Sequence, residues 1–319
     1  MKLIIPKAIA GLVEPRIGAI APDWSVVHVD DDGTVEGDAT DAAAYLRWWM
    51  PVEAFRRTLA AAPALRWVHS PSAGVDHLLI PEIVESEIVL TNSAGAHAIP
   101  IAEFVLMCML AHAKRARALL ALRPEDAWDH EDRLLLGELY EKTALIIGLG
   151  SIGEEIARRA AAFGMRVLGS RRRPRPTTAV DLVVGEDGWR DLLPEADFVV
   201  IAAPLTERTR GMVDADAFAR MRPDAYLINI ARGPIVDTGA LLEALHTGRI
   251  AGAAIDTPPV EPLPPDHPLW RAPNTWITPH ISYSSPRGRE RLFQIFFENL
   301  RRFRAGEPLI NVVDKRAGY

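Results

Sequence analysis

At 319 residues, with 49% hydrophobic and 24% charged residues, the chain has the composition of a globular protein long enough for two domains. Lys and Arg number 36 against 42 Asp and Glu, a formal net charge of −6, which argues against a broad surface for nucleic acid or anionic membrane. The single cysteine, Cys108, cannot close an internal disulfide, which fits a cytoplasmic setting, and no apolar run reaches the length of a membrane span.

The first third, residues 1–96, alternates short apolar strands with helical patterns. Segments 3–5, 25–29, 43–48, 65–69 and 88–91 read as strands, and the opening Met1-Lys2-Leu3-Ile4-Ile5-Pro6 is a strand rather than a signal peptide. Helices are expected over 51–62, with Pro at its first turn, and over 81–84. Such alternation predicts a parallel sheet with helices on its faces. Asp30-Asp31-Asp32-Gly33 reads as a solvated turn, with a carboxylate metal site as the alternative.

A long helical pattern follows over 99–122, opening with Pro100. It is more apolar than one face of an isolated helix requires, so it is expected to bridge the domains and to meet a second subunit. Cys108 lies inside it and reads as a buried small hydrophobe. Segment 123–140, with Trp128 and His130, is charged and irregular, an excursion leading to the next strand.

That strand is the centre of the second domain. Thr143-Ala144-Leu145-Ile146-Ile147 runs into Gly148-Leu149-Gly150-Ser151-Ile152-Gly153, and Ile152, Ile156, Ala160 and Phe163 then recur at helical spacing until Gly164. Strand, Gly-x-Gly-x-x-Gly turn and helix form a dinucleotide-binding unit. Gly148 permits the turn, Gly150 admits a pyrophosphate, and Gly153 lets helix and strand approach. Further strands are expected at 165–169, 179–184, 196–203, 225–230, 251–255 and 275–277, with helices such as 238–245 between them, giving a doubly wound sheet of six or seven strands. A last helix spans 286–304, and the tail 309–319 is expected to fold back on the first domain.

Arg232, Asp256 and His280 each stand just past the carboxyl end of a strand, the edge where open α/β sheets bind ligands. Hydride transfer to a keto acid needs a cation for the carboxylate and ketone, a proton donor near the ketone oxygen, and a group that keeps the donor charged. Arg232, His280 and Glu261 are of the right types, since guanidinium offers a planar fork and a carboxylate favours an imidazolium. Taken singly, each also reads as a surface, structural or loop residue. No His, Cys and Asp cluster has metal-ligand spacing, and His77 and His97 read as structural or loop residues.

Four motifs resemble those of the D-isomer-specific 2-hydroxyacid dehydrogenase family, most closely its glyoxylate/hydroxypyruvate reductase-like members. They are the Gly148–Gly153 turn, Ile228-Asn229-Ile230-Ala231-Arg232-Gly233-Pro234-Ile235-Val236-Asp237, Asp256 through Glu261-Pro262-Leu263-Pro264, and Thr278-Pro279-His280-Ile281. Ser72-Ala73-Gly74-Val75-Asp76-His77 and Thr91-Asn92-Ser93-Ala94-Gly95 extend the likeness over nearly the whole chain. The resemblance implies an α/β fold of two domains. A doubly wound Rossmann nucleotide-binding domain, 97–283, is inserted into a smaller flavodoxin-like substrate domain, 1–96 plus 284–319. It implies Arg232 as substrate-binding residue, His280 as acid/base, Glu261 as its partner, and Asp256 at the nicotinamide carboxamide. It further implies cofactor contacts at Gly148, Gly150, Ser151, Ile152, Gly153, Ser170, Arg171, Arg172, Ala203, Pro204, Thr209, Ile230, Arg232 and His280. The amides of Ala73 and Gly74 would hold the substrate carboxylate; without the family, that turn reads as an ordinary one. Trp49 would border the substrate, the alternative being a core or interface tryptophan.

Two departures matter. NAD-preferring members end the strand after the Gly-rich helix in an Asp that takes the ribose hydroxyls, whereas this strand ends in Ser170-Arg171-Arg172-Arg173. A guanidinium at 171 suits a 2′-phosphate, so NADP(H) is the expected cofactor and NAD(H) the alternative; a solvated basic loop is the bland reading. Ser282-Tyr283-Ser284 stands where many members carry small residues and a Thr. The expected protein is a cytoplasmic homodimer, associating through its nucleotide-binding domain. It reduces a small 2-oxo acid to the D-2-hydroxy acid with NADPH. Bulkier 2-oxo acids are the rival substrates, and a cofactor-sensing corepressor or scaffold is the rival from another class.

Overall fold

A computed structural model describes residues 1–124, 128 and 135–319. The chain divides into two compact units, Met1–His97 with Ser285–Tyr319, and Ala98–Ser284. Half of the predicted excursion 123–140, His130 included, falls outside the described residues.

The first unit is built on β1 (Lys2–Pro6), β2 (Ser25–Val29), β3 (Ala42–Leu46), β4 (Trp67–His69) and β5 (Val89–Thr91). All are parallel, in the order β2-β1-β3-β4-β5, the flavodoxin order. Side chains alternate along β1. Leu3 and Ile5 join the core under α1 (Ala10–Ile20) and the last helix of the chain, α9 (Gly288–Ala305), while Ile4 joins the core under α2 (Val52–Ala61) and α3 (Pro81–Val84). α1 carries no marked helical signal in the sequence. Gly11, Pro15 and Gly18 interrupt it and only Val13 and Ile17 are buried, so its apolar stripe is too thin to stand out. The tail crosses the sheet edge, where Val312 bridges Thr91 and the Val313 amide donates to Leu90 O over 2.8 Å.

The second unit begins with α4 (Ala98–Ala113) and α5 (Ala116–Leu120), which correct the single helix expected over 99–122. The break is Arg115, in the left-handed region at φ 48°, after its amide closes a tight turn on His112 O. Beyond it no residue of α5 is buried, so packing gives the helix nothing to continue for. Then come β6 (Thr143–Ile147), α6 (Ser151–Ala162), β7 (Arg166–Ser170), β8 (Leu182–Val184), β9 (Phe198–Ile201), α7 (Ala215–Arg220), β10 (Tyr226–Asn229), α8 (Thr238–His246), β11 (Gly252–Ile255) and β12 (Thr275–Ile277). Seven parallel strands lie in the order β12-β11-β10-β9-β6-β7-β8. The strands are apolar on both faces, and the two cores they build cover both sides of the sheet, as a doubly wound sheet requires. Strand order reverses between β6 and β9, which puts the Gly-rich turn at the switch point. Among the described residues no helix is long and apolar enough to cross a membrane.

Candidate active site

The three glycines of the turn after β6 differ in what demands them. Gly148 lies at φ +105°, and a Cβ on it would stand 2.5 Å from Ala203 N. A Cβ on Gly153 would stand 2.2 Å from Gly148 O. Both are needed for the protein's own packing. A Cβ on Gly150 meets nothing within 4 Å, so the protein itself gives no reason for that glycine. Space for a ligand backbone is the reason left, and it adjoins the N-terminus of α6, which no side chain caps. Gly148 and Leu149 donate to Ser170 O over 3.1 and 2.8 Å, which ties the turn to the end of β7. These features fit a dinucleotide.

Just past β7, Arg171 Nη1 donates to Glu154 Oε1 over 2.9 Å. The sequence reading treats this place as cationic; the structure adds a carboxylate. Arg172 is exposed, and Ser170 and Ile230 are buried. Thr209 closes its own turn, donating to Pro204 O over 2.7 Å and accepting from Thr206 N over 2.8 Å, and Ala203 supplies the backbone under Gly148.

Arg232, Asp256 and His280 follow three neighbouring strands, β10, β11 and β12. Half-buried Arg232 donates to Ala231 O through Nη1 over 2.8 Å, and its own carbonyl accepts from Asn229 Nδ2 over 3.1 Å. Gly233 follows because a Cβ there would meet Pro258 O at 2.1 Å. His280 Nδ1 lies 2.9 Å from Glu261 Oε2, both side chains being partly exposed. This pairing leaves Nε2 of the imidazole as the ring's other proton-bearing atom. His280 itself sits at φ 51°, a conformation few residues other than glycine adopt, and its amide donates to Asp256 O over 2.8 Å. The Asp256 carboxylate is 1% exposed. It accepts from Thr278 Oγ1 (2.6 Å), Ile281 N (2.9 Å) and Ser282 N (3.0 Å), and so braces the loop that carries His280. That bracing, and the Asn229 clamp, escape the sequence reading because each joins residues through a side chain that no periodicity marks.

In the first unit, the turn 70–74 follows β4. Among the described residues, the amides of Ala73 and Gly74 have no protein acceptor, while Ala73 O accepts from Asn92 Nδ2 over 2.7 Å. Beneath the turn His69 is fully buried, which pushes its pKa down to about 3. A neutral relay follows: Trp67 Nε1 donates to Thr91 Oγ1, Thr91 pairs with His69 Nδ1, and His69 Nε2 pairs with Ser93 Oγ, which donates to Ser70 O. Trp49, just past β3, is half exposed, whereas Trp48 stacks on Phe293. His77 Nε2 lies 3.2 Å from buried Arg47. Among the described residues no cluster of His, Cys, Asp or Glu is placed to hold a metal.

Residues 106–282 match the family model of the D-isomer specific 2-hydroxyacid dehydrogenase, NAD binding domain. The chain belongs to that family. As a 2-hydroxyacid dehydrogenase it is an NAD(P)-dependent oxidoreductase. It is 35% identical over 268 residues to a glyoxylate reductase of Korarchaeum cryptofilum, covering 83% of this chain and 80% of the relative. A D-isomer specific 2-hydroxyacid dehydrogenase of Xanthobacter autotrophicus Py2, solved with NADPH and MES, is similar in structure (TM-score 0.86, 34% identity, 100% and 99% of the two chains). So is an NADPH-dependent glyoxylate/hydroxypyruvate reductase of Sinorhizobium meliloti solved with NADP and sulfate (TM-score 0.83, 32% identity, 100% and 99%). The 2-hydroxyacid dehydrogenase likeness to these structures thus extends over both units.

Proposed function

We propose that this dehydrogenase reduces a small 2-oxo acid of the glyoxylate/hydroxypyruvate type to its D-2-hydroxy acid with NADPH. The observation that carries the reading is the His280–Glu261 pair, 2.9 Å apart, on the sheet edge that also presents Arg232. Bound NADPH supplies the hydride. As imidazolium, His280 donates its Nδ1 proton to Glu261 and holds the Nε2 proton for the forming alkoxide. Arg232 binds the carboxylate and polarises the ketone, and the amides of Ala73 and Gly74 take carboxylate oxygen. Asp256 contacts the nicotinamide carboxamide and holds the His280 loop. Trp49 borders the substrate. Gly148, Gly150, Ser151, Ile152 and Gly153 hold the pyrophosphate, and Arg171 with Arg172 the 2′-phosphate; NADPH-bound relatives support that preference.

We further propose a cytoplasmic homodimer. A groove of about 730 Å³, lined by Met107, Leu110 and Ala111 of α4 and by Phe163 just past α6, with Glu103, Lys114 and Arg159 around them, offers a second subunit an apolar stripe of α4 with charged neighbours. Solution mass tests this.

NADPH absorbance followed with glyoxylate, hydroxypyruvate and bulkier 2-oxo acids tests the substrate. The two small acids should give the higher kcat/KM, and NADPH should exceed NADH. His280→Gln should lower kcat by about 10²- to 10⁴-fold with cofactor affinity kept. Retained turnover refutes the assignment.

A further inference from the structure

After β7 the chain places Arg171, Arg172, Arg173 and Arg175 within five residues. Glu154, in the first turn of α6, meets this loop. Its Oε1 accepts from Arg171 Nη1 at 2.9 Å and lies 3.5 Å from Arg175 Nη2. Arg171 Nη1 also reaches Thr177 Oγ1 at 3.4 Å. Among the described residues, every side-chain bond of Arg171 runs through that one nitrogen, so Nε and Nη2 keep their protons for a ligand. The carboxylate has two opposed effects. It neutralises part of the charge that a 2′-phosphate seeks, and that phosphate must share or displace it. It also supplies an acceptor beside the strand end, where a ribose 2′-hydroxyl needs one.

We infer that Glu154 is a specificity-determining residue that holds down discrimination between phosphorylated and unphosphorylated dinucleotides, keeping NAD(H) usable. The inference rests on the NADP(H) reading above. Calorimetric titration of the full chain with adenosine 2′,5′-bisphosphate and with 5′-AMP separates the two. Wild-type protein should bind the bisphosphate more tightly; equal affinities overturn the NADP(H) reading. In Glu154→Gln the bisphosphate should bind about threefold to fivefold tighter, the size expected of a part-exposed ion pair, and 5′-AMP more weakly. The same change on an Arg171→Ala background should not tighten bisphosphate binding, because the guanidinium it releases is gone. A ratio in Glu154→Gln that stays level or falls overturns the role of Glu154; a fall would make it a positioning residue for Arg171.

Discussion

The chain has two turns suited to anions, and they are held in opposite ways. The turn after β6 is shaped by backbone against backbone: Gly148 on Ala203, Gly153 on Gly148. The turn after β4 rests on polar side chains, with Asn92 under Ala73 and the neutral relay through His69 below. Steric support is all-or-none, because a methyl group either fits or does not. Polar support is graded and depends on protons. The difference also decides what can be read early, since glycines at fixed offsets are a local signal and a relay between two strands far apart in sequence is not.

The contrast can be broken by substitution. Gly148→Ala carries the largest expected effect. The backbone is left-handed there and the added methyl meets Ala203 N at 2.5 Å. Dinucleotide binding should be lost by calorimetry, and thermal unfolding should show a cost of about 3 kcal/mol or more. Near-normal binding would show that the turn has slack. Asn92→Ala should act more gently on the other turn. It removes two hydrogen bonds of a mostly buried amide, to Ala73 O and from Ala94 N. A loss of about 1–3 kcal/mol by denaturant titration and a raised KM for the oxo acid with kcat largely kept are expected. A kcat collapse would place Asn92 in the chemistry instead.

The last test sharpens the contrast through pH. Burial lowers the His69 pKa to about 3 from 6.5. Between these values the unfolded chain binds the extra proton, so stability is complete above pH 6.5 and falls as pH drops toward 3. His69→Asn should flatten that part of the stability–pH curve for the whole chain. An unchanged slope would mean that other groups carry it.

Legibility follows from range. The Gly148–Gly153 turn, the strands and the placement of Arg232, Asp256 and His280 at strand ends rest on local patterns, and the structure has them at those places. The flavodoxin order of the first sheet came from the resemblance and not from the strands, since short parallel strands do not announce their neighbours. The break at Arg115 was hidden because the apolar pattern runs on through Leu122 while burial stops. Glu154 is hidden for a related reason: in sequence it is one more charge on a helix, and only the return of the chain at Arg171 gives it a partner. Asp256 was legible as a residue at a strand end, but not as a brace for the loop of His280.

The backbone at His280 has one more consequence. At φ 51° the main chain there would be more comfortable with glycine than with any residue that carries a Cβ. The residue proposed to carry the proton therefore stands where conformational ease favours another occupant. If His280 carries the proton as proposed, the substitution that most eases this backbone, to glycine, is also the one that removes the acid, so stability and turnover pull in opposite directions at one position.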